Sequence, residues 1–355
     1  MGLWTNINVN GLAIRAFEDV AGNDSVTCTG VAALKGLCPM KTVLHVGAHR
    51  TGTTTFQSYV RRQSLLVQNA GVAFWGPGRT RSGLFAGILP DTTAPARGCK
   101  LGLSGQRRGR GRVQLHLKKL AEQGVKTLLI SDENMIGNVR ANLRARQLYP
   151  AIGERMAHYN AAFDGRIDRI VLTVRTLDLW WRSAASYGVK RGAQPLQHKD
   201  CCEISQDSRG WRDVIADLAC AAPEAEIVVI PFETYVARPE VLLEHATELN
   251  GLPAISNEWL NRSPDLPGLR EILRDRGAPK DALATGIGHW NPFDMKQSAV
   301  LRERYEDDLY WLRGGADGLA TFRDNSRSTT PNNGAGRDME TKRGRGNVGE
   351  KGSVA

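Results

Sequence analysis

Between Lys41 and Gln57 the chain reads KTVLHVGAHRTGTTTFQ, a strand, a glycine loop and a helix start in immediate succession. Val43-Leu44-His45-Val46 is a short apolar run of the length of a buried strand. Gly47 and Gly52 bound the loop, three threonines follow, and Phe56, Tyr59, Val60, Leu66 and Val67 then recur at helical spacing. This succession makes an anion site. The unpaired N–H groups of the loop and of the first helical turn, with the helix dipole, point at whatever the loop holds.

The spacing narrows the anion. Gly47-x4-Gly52 matches the first part of the phosphate loop of nucleotide triphosphatases, G-x-x-x-x-G-K-[ST], but Thr53 stands where the lysine belongs, followed by Thr54. Arg50 is the only cation in the loop. A triphosphatase needs a lysine on the β/γ-phosphates and a hydroxyl on Mg²⁺. This loop suits instead a ligand with one 5′-phosphate and a nearby transferable group. A Gly/Thr-rich turn that binds nothing is the bland alternative.

Further strands alternate with helical patterns. Gly71–Trp75 reads as a strand stopped by Gly76-Pro77-Gly78, and Val125–Ile130, Ile167–Arg175 and Ile227–Ile230 read as three more. Helical patterns fall at Val113–Gln123, Ala141–Phe163 with a break at Pro150, Asp178–Tyr187 with Asp178 as N-cap, Trp211–Ala221, Pro239–Leu249 and Met295–Leu312. His198–Arg209 reads as a polar loop. The alternation predicts an α/β fold, a three-layer sandwich around a mostly parallel five-stranded sheet, with ligands beyond the carboxyl ends of its strands. The expected organisation is an extension over 1–40, carrying a short helix around Leu12–Phe17, then one domain over 41–313, then a disordered tail over 314–355. Within the domain, 79–112 is rich in Gly, Arg, Ser and Thr and predicts a mobile basic insertion.

Composition enters through charge. The 355 residues carry a net +10, and between Arg97 and Lys119 there are eight Lys/Arg and no Asp/Glu. Such a surface attracts anions generally. No aromatic residue interleaves the core GCKLGLSGQRRGRGR, which weakens a nucleic-acid reading. The six cysteines have no metal-type spacing and read as reduced thiols of a cytoplasmic protein. No apolar run reaches the length of a membrane span, and MGLWTNINVNG lacks the pattern of a secretory signal. Asn6 breaks a myristoylation match.

Gly47-Ala48-His49-Arg50-Thr51-Gly52-Thr53-Thr54 resembles the 5′-phosphosulfate loop of the sulfotransferases that use 3′-phosphoadenosine-5′-phosphosulfate (PAPS), in the bacterial form G-x-H-K-T-G-T-T. Arg50 replaces the usual lysine, keeping the charge but not the compact ammonium. Arg175 and Ser183, eight residues apart, resemble the Arg-x7-Ser pair of the same family's 3′-phosphate site, although Leu177 stands where the family often has proline. The likeness covers roughly Lys41 to Arg313, with these two motifs its specific part.

The resemblance implies that His49, Arg50, Thr51, Gly52, Thr53 and Thr54, with the N–H groups from Ala48 to Thr54, hold the phosphosulfate. Arg175 and Ser183 hold the 3′-phosphate. Arg50 and the hydroxyls of Thr53 and Thr54 stabilise the leaving oxygen, and no metal is needed. A sulfuryl transfer also needs a base. Ser131-Asp132-Glu133 after a strand resembles the bacterial family and makes Glu133 the candidate, with a helix-capping role as the bland alternative and His49 and His116 as other candidates. Pro231-Phe232-Glu233, Asn261-Arg262-Ser263 and Gly288-His289-Trp290-Asn291 share weaker likeness without an evident role. Trp180, Trp181 and Tyr187 could stack on adenine, though core packing suits them better. The implied acceptor is a hydroxyl, for example on a carbohydrate or glycolipid, and the basic window favours an anionic saccharide or lipid. The product would be 3′,5′-diphosphoadenosine. Two other readings stay open: a P-loop kinase or NTPase, and a nucleic-acid-binding module using the basic loop and tail.

Overall fold

The computed structural model describes residues 40–90, 99–254 and 260–324, with backbone alone for 99–103, and the backbone of two strands near the start, β1 (Leu3–Val9) and β2 (Leu12–Glu18). The chain continues through strands β3 (Lys41–Gly47), β4 (Val72–Trp75), β5 (Thr127–Ser131), β6 (Arg169–Val174), β7 (Glu226–Pro231) and β8 (Thr321–Phe322). The main helices are α1 (Thr53–Arg62), α2 (Cys99–Glu122), α3 (Ile152–Ala162), α4 (Leu177–Lys190), α5 (Trp211–Ala221), α6 (Pro239–Thr247), α7 (Leu266–Asp275) and α8 (Met295–Arg313).

Six strands form one parallel sheet in the order β4-β5-β3-β6-β7-β8. Alternate residues of each strand feed two cores. Leu44, Val46, Leu128, Ile130, Ile170 and Leu172 face one, with Trp180, Trp211, Met156 and Leu301 from the helices covering it. Val43, Leu129, Val171 and Val228 face the other, with Phe56, Tyr59 and Val60 of α1 and Val241 and Leu242 of α6. Period-two alternation on a sheet covered on both faces is what makes the expected three-layer α/β sandwich. Helix α7 adds a satellite core of Leu266, Leu269 and Leu273 against Ala185 and Val189 of α4. From β3 the chain runs outward to β4 and β5 on one side and to β6, β7 and β8 on the other, so the crevice between the carboxyl ends of β3 and β6 is the place where strand order reverses.

The sixth strand departs from expectation. Composition predicts disorder from Gly314 onward, yet β8 pairs with Val228 and Val229 of β7 and Arg323 N donates to Val229 O at 2.9 Å. A strand of two residues is too short to leave a periodic signal. The rest of the expected tail, 325–355, lies outside the described residues. Near the start, the expected short helix at Leu12–Phe17 is instead β2, paired antiparallel with β1. Asn10-Gly11 between two alternating segments is the pattern that favours such a hairpin. His198–Gln206 is a helix rather than a loop, closed by a capping box between Gln197 and Asp200.

The insertion over 79–112 is also ordered where it is described. Thr80–Leu84 makes a turn kinked at Ser82 and Gly83, α2 begins at Cys99, and the Arg112 guanidinium donates to the carbonyls of Leu84 and Ala86. Two of its glycines serve close packing. A Cβ on Gly87 would stand 2.8 Å from Gly105 O, and one on Gly109 would stand 3.1 Å from Ala86 O. Composition alone does not separate glycine for flexibility from glycine for close approach. Arg110 pairs with Asp164, so part of the basic window is already neutralised. Among the described residues no helix is long and apolar enough to cross a membrane.

Helix α8 locks the edge of the site. The buried Asp308 carboxylate accepts from Trp211 N at 2.7 Å and Arg212 N at 3.2 Å, where it meets the positive end of α5. The Trp211 indole in turn donates to Arg175 O at 2.8 Å. Gly210 makes room for this arrangement, since a Cβ there would lie 2.6 Å from Asp308 Oδ2. Gly210→Ala should therefore lower stability by about 1–3 kcal/mol, as overpacking does. Urea unfolding should show a reduced midpoint, and an unchanged midpoint would remove Asp308 as the lock.

Candidate functional site

The loop after β3 folds under strain that only part of its sequence tolerates easily. Gly47 and Gly52 have φ of 91° and 78°, and Arg50 between them has φ of 63°. Inside the turn the hydroxyls of Thr51 and Thr53 both donate to Ala48 O, at 2.7 and 3.0 Å. Ala48 N donates to Thr173 O of β6, and His49 N to the Tyr149 hydroxyl. The cradle of free N–H groups expected from Ala48 to Thr54 is thus shorter at its start, because these two are already used. Helix α1 begins at Thr53 with no side-chain cap, so the N–H groups of its first turn lack acceptors within the helix. The hydroxyls of Thr51 and Thr53 shape the loop. Thr54 Oγ1 lies toward the cavity and accepts from Asn261 Nδ2 at 3.2 Å.

His49 is a structural residue of this loop. Tyr149 Oη accepts from His49 N at 2.9 Å, so its own hydrogen goes to Nδ1 at 3.0 Å, and Nε2–H then donates to Asn134 Oδ1 at 3.2 Å. Both ring nitrogens are partnered, and burial pushes the imidazole pKa down, keeping the ring neutral. His116, the other histidine considered as a base, sits on α2 against Trp75 and Arg79, outside the cavity lining.

Arg50 carries the site across the crevice. Its Nε donates to Ser183 Oγ at 3.0 Å, and its Nη2 to Ser263 Oγ at 2.8 Å and Asn261 O at 3.0 Å. Arg175, leaving β6, donates from Nη1 to Arg50 O at 2.8 Å and lies 4.6 Å from the centre of the Phe232 ring. Its Nε is buried without a hydrogen-bond partner. Burial pushes the Arg175 pKa down to about 10, helped by the neighbouring Arg50 and Arg182 charges. An oxyanion beside it would favour the charged guanidinium and so oppose that depression. Ser183 lies in the second turn of α4. That helix is not capped by Asp178, which is its second residue and pairs with Arg302 at 2.7 Å. The N-cap position is Thr176, whose N and Oγ1 donate to Glu233 just past β7 at 3.0 and 2.9 Å.

Glu133 closes the cavity from the β5 side. Its Oε1 accepts from Arg81 Nη2 at 3.1 Å and its Oε2 from Gln57 Nε2 at 3.2 Å, with the side chain 18% exposed. Each oxygen keeps a lone pair for a further partner. Asp132 beside it is turned away: it caps the short turn Glu133–Ile136 and binds Thr80 and Arg81. The Gln57 amide that orients Glu133 also donates to Ser131 Oγ, which therefore donates to His45 Nδ1 at 2.8 Å.

Together these groups line one cavity of about 240 Å³. Of the residues expected from sequence, His49, Arg50, Gly52, Thr53, Thr54, Glu133, Arg175 and Ser183 line it, and Thr51 does not. Arg182, Tyr187, Phe232, Asn261, Ser263 and His289 line it too. Four arginines (Arg50, Arg175, Arg182 and Arg262) face one carboxylate, Glu133, among the described lining residues. Trp180 and Trp181 belong to the core, Trp180 donating to His49 O at 2.8 Å. Asn261-Arg262-Ser263 thus gains a role that its sequence did not reveal. Gln57, Arg81 and Tyr149 left no sequence signal, since each acts through a partner distant along the chain.

The buried His45 gives a pH test of this network. Burial pushes its pKa down to about 3, whereas in the unfolded chain it protonates near about 6.5. The unfolded state takes up more protons between those values. Its contribution to stability is therefore complete above about pH 6.5 and is lost as pH falls toward 3. Urea midpoints should fall between about pH 7 and about pH 5, and His45→Asn should flatten that slope. An equal slope in both proteins would contradict the assignment. No family model matches the chain, and a comparison with curated proteins finds no match either.

Proposed function

We propose that this protein is a sulfotransferase that moves the sulfuryl group of PAPS to an acceptor hydroxyl. What supports this reading most is the convergence of two motifs far apart in sequence, the loop around Arg50 and the Arg175/Ser183 pair, on one cavity whose only described carboxylate is Glu133. The surplus of guanidinium groups and the orphaned Arg175 Nε suit a ligand with several negative charges. The expected likeness to the bacterial PAPS-dependent family supplies the identity of that ligand.

In this reading the N–H groups of Gly52 to Thr54 hold the 5′-phosphosulfate at the positive end of α1. Arg175 and Ser183 hold the 3′-phosphate. Arg50, which rests on Ser183 and Ser263, exchanges those hydroxyls for donor oxygens when the donor arrives. The acceptor oxygen attacks sulfur in line, the bond from sulfur to the bridging oxygen breaks, and the acceptor proton passes to Glu133. The electron pair of the broken bond stays on the 5′-phosphate, whose charge the loop and Arg50 stabilise. The products are the sulfate ester and 3′,5′-diphosphoadenosine. Cytoplasmic location and an acceptor on a carbohydrate or glycolipid remain part of the proposal.

Two substitutions separate the roles. Arg175→Ala should weaken 3′,5′-diphosphoadenosine by about tenfold or more in calorimetry, as loss of a charge-assisted pair does. Glu133→Gln should leave that affinity nearly intact and cut turnover with labelled PAPS by about 10²–10⁴. Full turnover in Glu133→Gln would remove it as the base, and unchanged nucleotide affinity in Arg175→Ala would remove the donor assignment.

A further inference from the structure

A second cavity of about 290 Å³ adjoins the first and shares two walls with it, Val139 and Tyr187. It lies where the helix Val139–Ala145 packs on α4, an approach made close by Gly188, where a Cβ would stand 2.7 Å from Leu143 Cδ1. Three arginines, Arg140, Arg144 and Arg191, line it, and no Asp or Glu does. None of the three has a carboxylate partner among the described residues. By contrast Arg146, at the end of the same short helix, is paired with Asp200 at 2.6 Å and Glu203 at 2.9 Å. Arg140 and Arg144 stand four apart, a spacing at which like charges repel.

Tyr187 divides the two cavities. The Arg50 guanidinium lies 5.1 Å from its ring centre and Arg191 lies 5.6 Å from it, with Arg191 Nε donating to the phenol oxygen at 3.3 Å. The shared wall at Val139 follows three residues after the turn that carries Glu133. A molecule with a hydroxyl at Glu133 can therefore extend past Tyr187 into the second cavity. There it meets three cations over an apolar floor of Leu143, Ala185 and Leu196.

We infer that the second cavity is the acceptor subsite, and that the acceptor carries a fixed anionic group (a carboxylate, sulfate or phosphate ester) within one sugar-sized unit of the hydroxyl that is modified. This rests on the reading of the first cavity as the donor site. It moves the preference for an acidic acceptor from the Arg97–Lys119 window, where Arg110 and Arg112 are already engaged, to Arg140, Arg144 and Arg191.

The test is calorimetry on the full chain with matched probes. Glucuronosyl-(β1→4)-glucose and cellobiose differ by one carboxylate, and phosphatidylinositol vesicles present a hydroxylated anionic lipid. The acidic disaccharide or the vesicles should bind about tenfold or more tightly than cellobiose, with the preference weakened by salt. Whichever binds identifies the source of the anion. The double variant Arg140→Ser/Arg144→Ser should lose the preference while keeping wild-type affinity for 3′,5′-diphosphoadenosine and its unfolding midpoint. No preference in the wild type, or an equal preference in the variant, would overturn the subsite. Failure of the donor reading would show separately, as wild-type protein that binds no 3′,5′-diphosphoadenosine.

Discussion

Arg50 holds a left-handed backbone, φ 63°, and three separate parts of the chain are tied to it. Arg175 at the end of β6 takes its carbonyl, Ser183 of α4 takes its Nε, and Ser263 with Asn261 takes its Nη2. The strained turn is kept because Gly47 and Gly52 supply the other positive-φ positions of the loop and because Ala48 O receives the hydroxyls of Thr51 and Thr53. A glycine at position 50 would ease the turn but lose the bridge, and a β-branched residue would strain the turn as well. A lysine would keep the charge but present one point donor in place of a planar fork. Ser183 Oγ, Ser263 Oγ and the Asn261 carbonyl are placed to receive such a fork.

Around this bridge the protein gathers more positive charge than it neutralises. Arg175 is held by Phe232 below and by Arg50 O in front, with its Nε left over. The opposite wall is built differently. Glu133 is oriented by Gln57 and Arg81, and those two are held by Ser131 and Asp132. One wall thus offers donors for oxyanions and the other a single positioned carboxylate. That asymmetry is what a transfer between an anionic donor and a hydroxyl requires.

The sheet and the loop were legible because they rest on local rules: apolar runs, glycines at a fixed interval, and helical spacing after Phe56. Arg175 and Glu133 were legible as residue types just past the ends of strands, where open α/β sheets bind ligands, and Ser183 through its spacing from Arg175 in the resemblance. Illegible were the groups whose meaning lies in a distant partner. Tyr149 reaches His49 across 100 positions, and Arg50 reaches Ser263 across 213. Arg81 was hidden by composition, since the glycines around it suggest mobility while Gly87, Gly105 and Gly109 in fact let backbones touch. Asp178 shows the limit of capping rules: the residue type fits and its carboxylate accepts from Leu179 N, but the helix begins one residue earlier, so the N-cap position falls to Thr176.

In the proposed reading Arg175 and Ser183 select a nucleotide by its 3′-phosphate, while Arg50 serves the 5′-phosphosulfate. The most direct measurement is a calorimetric series on the wild-type protein with 3′,5′-diphosphoadenosine, adenosine 5′-monophosphate and Mg²⁺–ATP. The account predicts that 3′,5′-diphosphoadenosine binds tightest and that removing the 3′-phosphate weakens binding by about tenfold or more. Equal binding of the mono- and diphosphate, or tighter binding and turnover of Mg²⁺–ATP, would contradict it.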